Sequence, residues 1–268
     1  MKTFLVPVDF SEASENAAEY AAHMAALTEN SKLILYNVYE KVSLKSLSEY
    51  SRKTIADGLL KKLYDKLLHR GISEYECVSE EGTFIPNLKK YVVENDVDIV
   101  IMGITGSSRI KQVFMGSNAL NAVRNVHCPI MIVPPKAKFT GIKNLLLTSD
   151  FKDVTLTTPF KEIKQLLDLF DAKLHIVNVD KEHYIELTTE YKKERNILEK
   201  KFSNYNPEFY FLRTYDFLDG IGTFVKTNKI DAIITIPKHH NFLKQMFQVT
   251  HTKALAYHSH IPLVAVHQ

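Results

Sequence analysis

The sequence predicts an α/β chain made of two tandem doubly wound parallel-sheet domains of the Rossmann-like kind. Three observations carry that prediction: a length suited to two domains, an internal repeat, and short apolar runs alternating with helical patterns in each copy. The chain has 268 residues, 45% hydrophobic and 24% charged, against roughly 150 residues for a common compact domain. The repeat emerges when the chain is slid over itself. Phe4-Leu5-Val6-Pro7-Val8-Asp9-Phe10 falls on Leu145-Leu146-Leu147-Thr148-Ser149-Asp150-Phe151, and at the same offset Lys32-Leu33-Ile34-Leu35-Tyr36-Asn37-Val38 falls on Lys173-Leu174-His175-Ile176-Val177-Asn178-Val179. At a smaller offset Asp98-Ile99-Val100-Ile101 meets Asp231-Ala232-Ile233-Ile234, and Pro129-Ile130-Met131-Ile132-Val133 meets Pro262-Leu263-Val264-Ala265-Val266. The second copy has therefore lost residues opposite 40–71, in a crossover rather than a sheet, where deletions are best tolerated. Pro134-Pro135-Lys136-Ala137-Lys138 suits a linker and divides the chain into 1–138 and 139–268.

Taken in order, residues 4–8, 33–38, 75–78, 99–102 and 130–133 are strands, and their near-continuous hydrophobicity indicates burial on both faces. Parallel strands covered by helices follow. Ser11-Glu12-Ala13-Ser14-Glu15 supplies hydroxyls and first-turn carboxylates ahead of Ala17, Ala18, Ala21, Ala22, Ala25 and Leu27, a helix with a small-residue face for close packing. In such a sheet the ligand crevice lies beyond the carboxyl ends of the strands, which directs attention to the residues after Val8, Val38 and Met102.

Of the nine glycines, three fall in the segment from Met102 through Gly103, Ile104, Thr105 and Gly106 to Gly116, Ser117 and Asn118, a Gly-x2-Gly-x9-Gly-Ser pattern. Glycines there let the backbone approach a phosphate, and N–H groups of Gly116, Ser117 and Asn118 at a helix start can point at an anion. The plainer reading is a βα loop with turn glycines. Asp9 ends the first strand at the same crevice edge. It can accept hydrogen bonds from ribose hydroxyls or help hold a metal ion, or it can simply cap the helix that begins near Ser11 and Ser14. Arg109 and Lys111 read as solvated loop charges.

This combination resembles the ATP-binding class of the universal stress protein family. The features that carry it are Val-Pro-Val-Asp at residues 6–9 with a Ser-rich helix start, a second strand ending in Val38, the full glycine signature, and the closing strand Pro-Ile-Met-Ile-Val at residues 129–133. The resemblance implies two tandem adenine-nucleotide-binding domains and ATP, with or without magnesium, as the cofactor. Pro7, Val8 and Asp9 with the backbone of Val38 would face ribose and adenine, and Met102, Gly103, Thr105, Gly106, Gly116, Ser117 and Asn118 would surround the phosphates. The family often has a hydroxyl residue shortly after Gly-Ser, whereas this chain continues Asn118-Ala119, which weakens the case for holding the terminal phosphate or its metal. The implied role is a stress-responsive regulator or scaffold, not an enzyme. The alternatives are a slow ATP hydrolase or nucleotidyl-transfer enzyme using the same pocket, and an apo protein-interaction module. The second copy is expected to bind no ATP, because Gly103 faces Pro237, Gly106 faces His240 and Gly116 faces Val249, with only Thr250 keeping a hydroxyl opposite Ser117. Proline has no N–H, and valine resists the positive φ that glycine allows.

Other classes are disfavoured. Lys plus Arg is 34 against 31 for Asp plus Glu, a net charge of +3 spread along the chain, too weak to argue for nucleic acid or membrane partners. No apolar stretch of roughly 18 residues lacks a charge. Cys77 and Cys128 form neither a disulfide framework nor a zinc set, which points to a reducing, cytoplasmic setting. His239, His240, His251, His258 and His260 match no zinc spacing, so no metal is expected there. There is no Gly-x4-Gly-Lys-Ser/Thr loop and no Gly-x-Ser-x-Gly elbow, and no catalytic residue is assigned. The closing strands, residues 130–133 and 263–266, are apolar edges that need a partner. They are expected to pair within one chain as a pseudo-dimer, with a homodimer of whole chains also open.

Overall fold

A computed structural model describes residues 1–39, 49–68, 72–107, 112–114, 116–135, 137–180, 188–213, 217–236 and 261–267. The chain divides into two compact units, Met1–Thr140 and Gly141–Gln268.

In the first unit the elements run β1 (Lys2–Pro7), α1 (Glu12–Ala26), β2 (Ser31–Tyr39), α2 (Glu49–Leu67), β3 (Glu74–Glu81), α3 (Phe84–Glu94), β4 (Ile99–Gly103), β5 (Thr105–Ser107), β6 (Gln112–Phe114), α4 (Ser117–Asn125) and β7 (Ile130–Val133). Its main sheet is parallel, ordered β3-β2-β1-β4-β7. The chain winds outward from β1 in one direction and then crosses to the other side, so β1 and β4 flank the switch point of the sheet. Phe4, Leu5 and Val6 of β1 and Ile99, Val100 and Ile101 of β4 are fully buried, as continuous apolar runs predict for strands covered on both faces. That expectation fails at β3, whose residues are mostly half-exposed. Among the described strands only β2 lies beside it, and its faces carry Glu74, Glu76, Glu80 and Glu81 among few core side chains. The alanine face of α1 is buried as anticipated, but Leu27 is 73% exposed because it is the C-cap residue and leaves the helix stripe.

The second unit runs β8 (Asn144–Thr148), α5 (Val154–Thr157), α6 (Phe160–Phe170), β9 (Lys173–Asp180), α7 (Thr189–Lys201), a 3-10 turn (Ser203–Tyr205), β10 (Glu208–Arg213), α8 (Phe217–Thr227), β11 (Ala232–Thr235) and β12 (Leu263–Ala265). Its strands are parallel in the order β10-β9-β8-β11-β12, the same winding as the first.

The repeat extends to individual hydrogen bonds. Asp98 accepts from the Thr3 amide at 2.8 Å, as Asp231 does from the Asn144 amide at 2.9 Å. The Asn95 side chain donates to the Tyr91 carbonyl and that of Asn228 to the Phe224 carbonyl, each at 3.0 Å. One difference is large. Where α1 runs unbroken over Glu12–Ala26, the second copy places Pro159 opposite Ala18 and splits the helix into α5 and α6. Proline lacks the N–H that the helix interior needs, and its ring clashes with the carbonyl one turn back.

Candidate functional site

The crevice of the first unit is assembled at the carboxyl ends of β1, β2 and β4. Pro7 closes β1, paired with Tyr36. Val8 continues one step beyond, its amide bonded to the Tyr36 carbonyl at 2.8 Å and its own carbonyl receiving the Asn37 side-chain amide at 2.6 Å. Phe10 then takes the left-handed conformation, φ 62°, which turns the chain sharply from strand to helix. Such a conformation is uncommon for a bulky residue and is held by its surroundings.

That turn sets the exposed Asp9 at the crevice rim. Its Oδ1 accepts from the Ser11 amide at 3.0 Å and from the Ser11 hydroxyl at 2.6 Å. Ser11 is the N-cap of α1 and accepts from the Ser14 amide at 3.3 Å. Asp9 therefore performs the local anchoring role, one step ahead of the cap itself. Desolvation at the rim pushes its carboxyl up, but the Ser11 hydroxyl and amide and the Ser14 hydroxyl outweigh that and hold it below the usual range. The site carries a negative charge at neutral pH.

On the other side of the switch point, Met102 and Gly103 end β4, paired with Ile132 and Val133 of β7. A Cβ at Gly103 would lie 2.0 Å from the backbone oxygen of Ala13. Glycine is required there because the first turn of α1 rests directly on the end of β4. Sequence reading placed Gly103 beside a phosphate, whereas its closest constraint is helix packing. The segment after it is not simply a loop: Thr105, Gly106 and Ser107 pair antiparallel with Phe114, Val113 and Gln112 as a short hairpin. Arg109 and Lys111 lie outside the described residues.

Gly116 is the N-cap of α4 at φ −58° and ψ 154°, and no side chain caps this helix start. The argument that glycine is needed here for positive φ does not hold, since this backbone is open to any residue, and a Cβ would meet nothing within 4 Å. Gly116, Ser117 and Asn118 are all exposed, so the first-turn N–H groups at a positive helix end meet no protein side-chain cap. Val38, half-exposed near the end of β2, completes the rim opposite Glu80 of β3. Sequence reading missed Asn37 and the strained Phe10, although Asp-Phe at 9–10 and again at 150–151 was a visible signal.

The second unit keeps part of this rim. Ser149, Asn178 and Phe151 repeat the roles of Val8, Asn37 and Phe10: the Asn178 amide donates to the Ser149 carbonyl at 2.9 Å, and Phe151 has φ 50°. Elsewhere it is rebuilt. Position 152 is lysine instead of serine, so Asp150 receives the Lys152 amide at 3.2 Å where Asp9 receives an amide and a hydroxyl from Ser11. Phe151 is buried against Phe211, Phe209 and Tyr191, and the first turn of α5 is capped by the Glu194 carboxylate at 2.7 Å. Pro237, His239, His240, Val249, Thr250, His251, His258 and His260 lie outside the described residues. Cys128 is a core thiol, pushed up to about 12 by burial. Among the described residues, no cluster of His, Cys, Asp and Glu could hold a metal ion, and no helix is long and apolar enough to cross a membrane.

The first unit is thus a doubly wound parallel sheet with an ionised carboxylate just beyond β1 and an α4 start that no side chain caps. The universal stress protein family profile matches residues 1–134, and the chain belongs to that family. It is 24% identical over 144 residues to a universal stress protein of Methanocaldococcus jannaschii, covering 51% of this chain and 84% of that one. A staphylococcal relative, from Staphylococcus saprophyticus, is 26% identical over 160 residues, covering 56% and 94%. The fold of the whole chain is similar to a universal stress protein from Archaeoglobus fulgidus, with a TM-score of 0.70 at 18% identity, covering 99% of this chain and 98% of that one.

Proposed function

We propose that this chain is an ATP-binding universal stress protein, a regulator or scaffold whose nucleotide occupies the first unit. The observation that carries the reading is the ionised Asp9 at the rim of the β1/β4 switch point, with the uncapped start of α4 following strand β4 in the chain. The backbone at Val38 takes the adenine, with Pro7 and Val8 forming the floor and Asp9 accepting from ribose hydroxyls. Thr105, Gly106, Gly116, Ser117 and Asn118 surround the phosphates, the last three through first-turn N–H groups, while Met102 and Gly103 form the wall on which α1 rests. Magnesium, where present, would be held chiefly by the nucleotide, since the chain offers no carboxylate cluster among the described residues. Asp9 already anchors Ser11, which favours binding over hydrolysis.

The second unit binds no ATP in this proposal. Pro159 breaks its first helix, and aromatic rings bury Phe151 at its rim. The two domains, 1–138 and 139–268, pair through their apolar closing strands as an intrachain pseudo-dimer in the cytoplasm, where Cys77 and Cys128 stay reduced. Slow exchange of the outward-facing amides of β7 and β12 in monomeric protein supports the pseudo-dimer, and rapid exchange contradicts it.

ATP should raise the melting temperature, because a ligand that binds only the native state stabilises it by mass action, by about 2.7 kcal/mol at a hundredfold excess over Kd. Gly106→Val places a branched side chain in the phosphate space but suits a strand. A folded Gly106→Val protein should lose the shift, and one that keeps it would refute the site.

A further inference from the structure

Beneath the outer strand of the second unit lies a titratable group with no part in the nucleotide site. His175 of β9 is 4% exposed; the equivalent residue of the first copy, Ile34, is 1% exposed. Its Nε2 lies 3.1 Å from Asn144 Oδ1. The Asn144 amide is oriented by its own Nδ2, which donates to the Lys229 carbonyl at 3.3 Å, so its oxygen faces the ring and Nε2 carries the proton. Nδ1 is then a bare lone pair with no hydrogen-bond partner. A charged atom, Glu208 Oε2, lies 3.6 Å away. Glu208 is itself held ionised by the Lys173 ammonium and the Tyr210 hydroxyl, each at 2.5 Å. Two electron-rich atoms thus face each other across a gap too wide for a hydrogen bond.

The surroundings complete the inventory. Lys173 faces the imidazole from its own strand, and Glu208 and Tyr210 from β10. β8 presents the neutral Asn144, whose backbone amide is bound by Asp231, and α8 presents the uncharged ring of Phe224 edge-on at 6.3 Å. The first unit supplies an internal control: Lys32 bridges Glu76, and Glu76 pairs in register with Ile34 as Glu208 pairs with His175. The same ion pair therefore sits over an aliphatic side chain in one copy and an imidazole in the other.

We propose that His175 is an acid-operated switch built into the second unit, which loosens the β9–β10 edge on mild acidification while the first unit holds. The proton comes from solvent and adds to the Nδ1 lone pair. The new cation is stabilised either by admitting water or by drawing Glu208 inward from Tyr210, and both displace β10, the outer strand. Burial lowers the His175 pKa; Glu208 opposes that and Lys173 adds to it, with a net lowering. The folded chain thus favours neutral imidazole, while the unfolded chain protonates near the ordinary value of about 6.5. Stability of this unit is fully present above that value and is lost as pH falls from it through the lower folded value.

Hydrogen exchange of the full chain at about pH 7.5 and about pH 5.5, corrected for intrinsic rates, should show faster opening of β9 and β10 in acid. At the lower pH, about one unit below the unfolded value, the increase is at most about tenfold, with β2 and β3 unchanged. His175→Ile should abolish the difference. If that variant does not fold, the imidazole titration of the natural protein by NMR decides, with a midpoint below 6.5 and a proton on Nε2 supporting the switch. A midpoint at or above 6.5, equal acid sensitivity of both edges, or persistence of the effect in folded His175→Ile overturns it.

Discussion

Replacing Gly103 by alanine should lower the melting temperature by about 10 °C, from a loss of about 3 kcal/mol. The added Cβ would meet the Ala13 carbonyl oxygen at 2.0 Å and its carbon at 2.5 Å. Both are backbone atoms in the first turn of α1, so no side-chain rotation can relieve the overlap, and either the helix or β4 must shift. Because α1 begins beside Asp9 and Ser11, the shift should also weaken ATP binding. Gly116→Ala is the matched control: with φ −58° and open space around the new methyl, it should change stability by less than about 0.5 kcal/mol. Differential scanning calorimetry separates the two. Equal, small effects would show that the approach of α1 to β4 is not what demands glycine at 103.

Asp9→Ala should reduce ATP affinity roughly tenfold to a hundredfold, the loss of a charged hydrogen-bond acceptor worth about 1.5–3 kcal/mol. Its protein partners are the local Ser11 groups at an exposed rim, so the variant should fold. Asp150→Ala, at the matching position of the second unit, should leave affinity unchanged. Isothermal titration of both variants checks this, and equal losses would mean that both rims contact nucleotide.

Much of the architecture was legible because short continuous apolar runs alternating with helical patterns suit buried parallel strands. The paired segments around Asp9 and Asp150 revealed the duplication, which the structure repeats down to the Asn37 and Asn178 side-chain bonds. What escaped was set by tertiary contact. The need for glycine at 103 comes from Ala13, ninety positions away in sequence terms, and no local pattern announces it. The exposure of β3 depends on its place at the sheet edge, which strand hydrophobicity alone does not give. Pro159 stands in the sequence as a helix breaker, yet where the chain resumes its helix as α6 depends on packing that the local pattern does not give. His175 was hidden for a related reason: one polar residue in an apolar strand acquires meaning only when Asn144 and Glu208 are seen on either side of it.

Native mass spectrometry of the full chain titrated with ATP tests the central claim most directly. A single nucleotide per chain at saturation, lost in Gly106→Val and retained in Asp150→Ala, is the predicted result. Two equivalent nucleotides per chain, or none at saturating ATP, would contradict it.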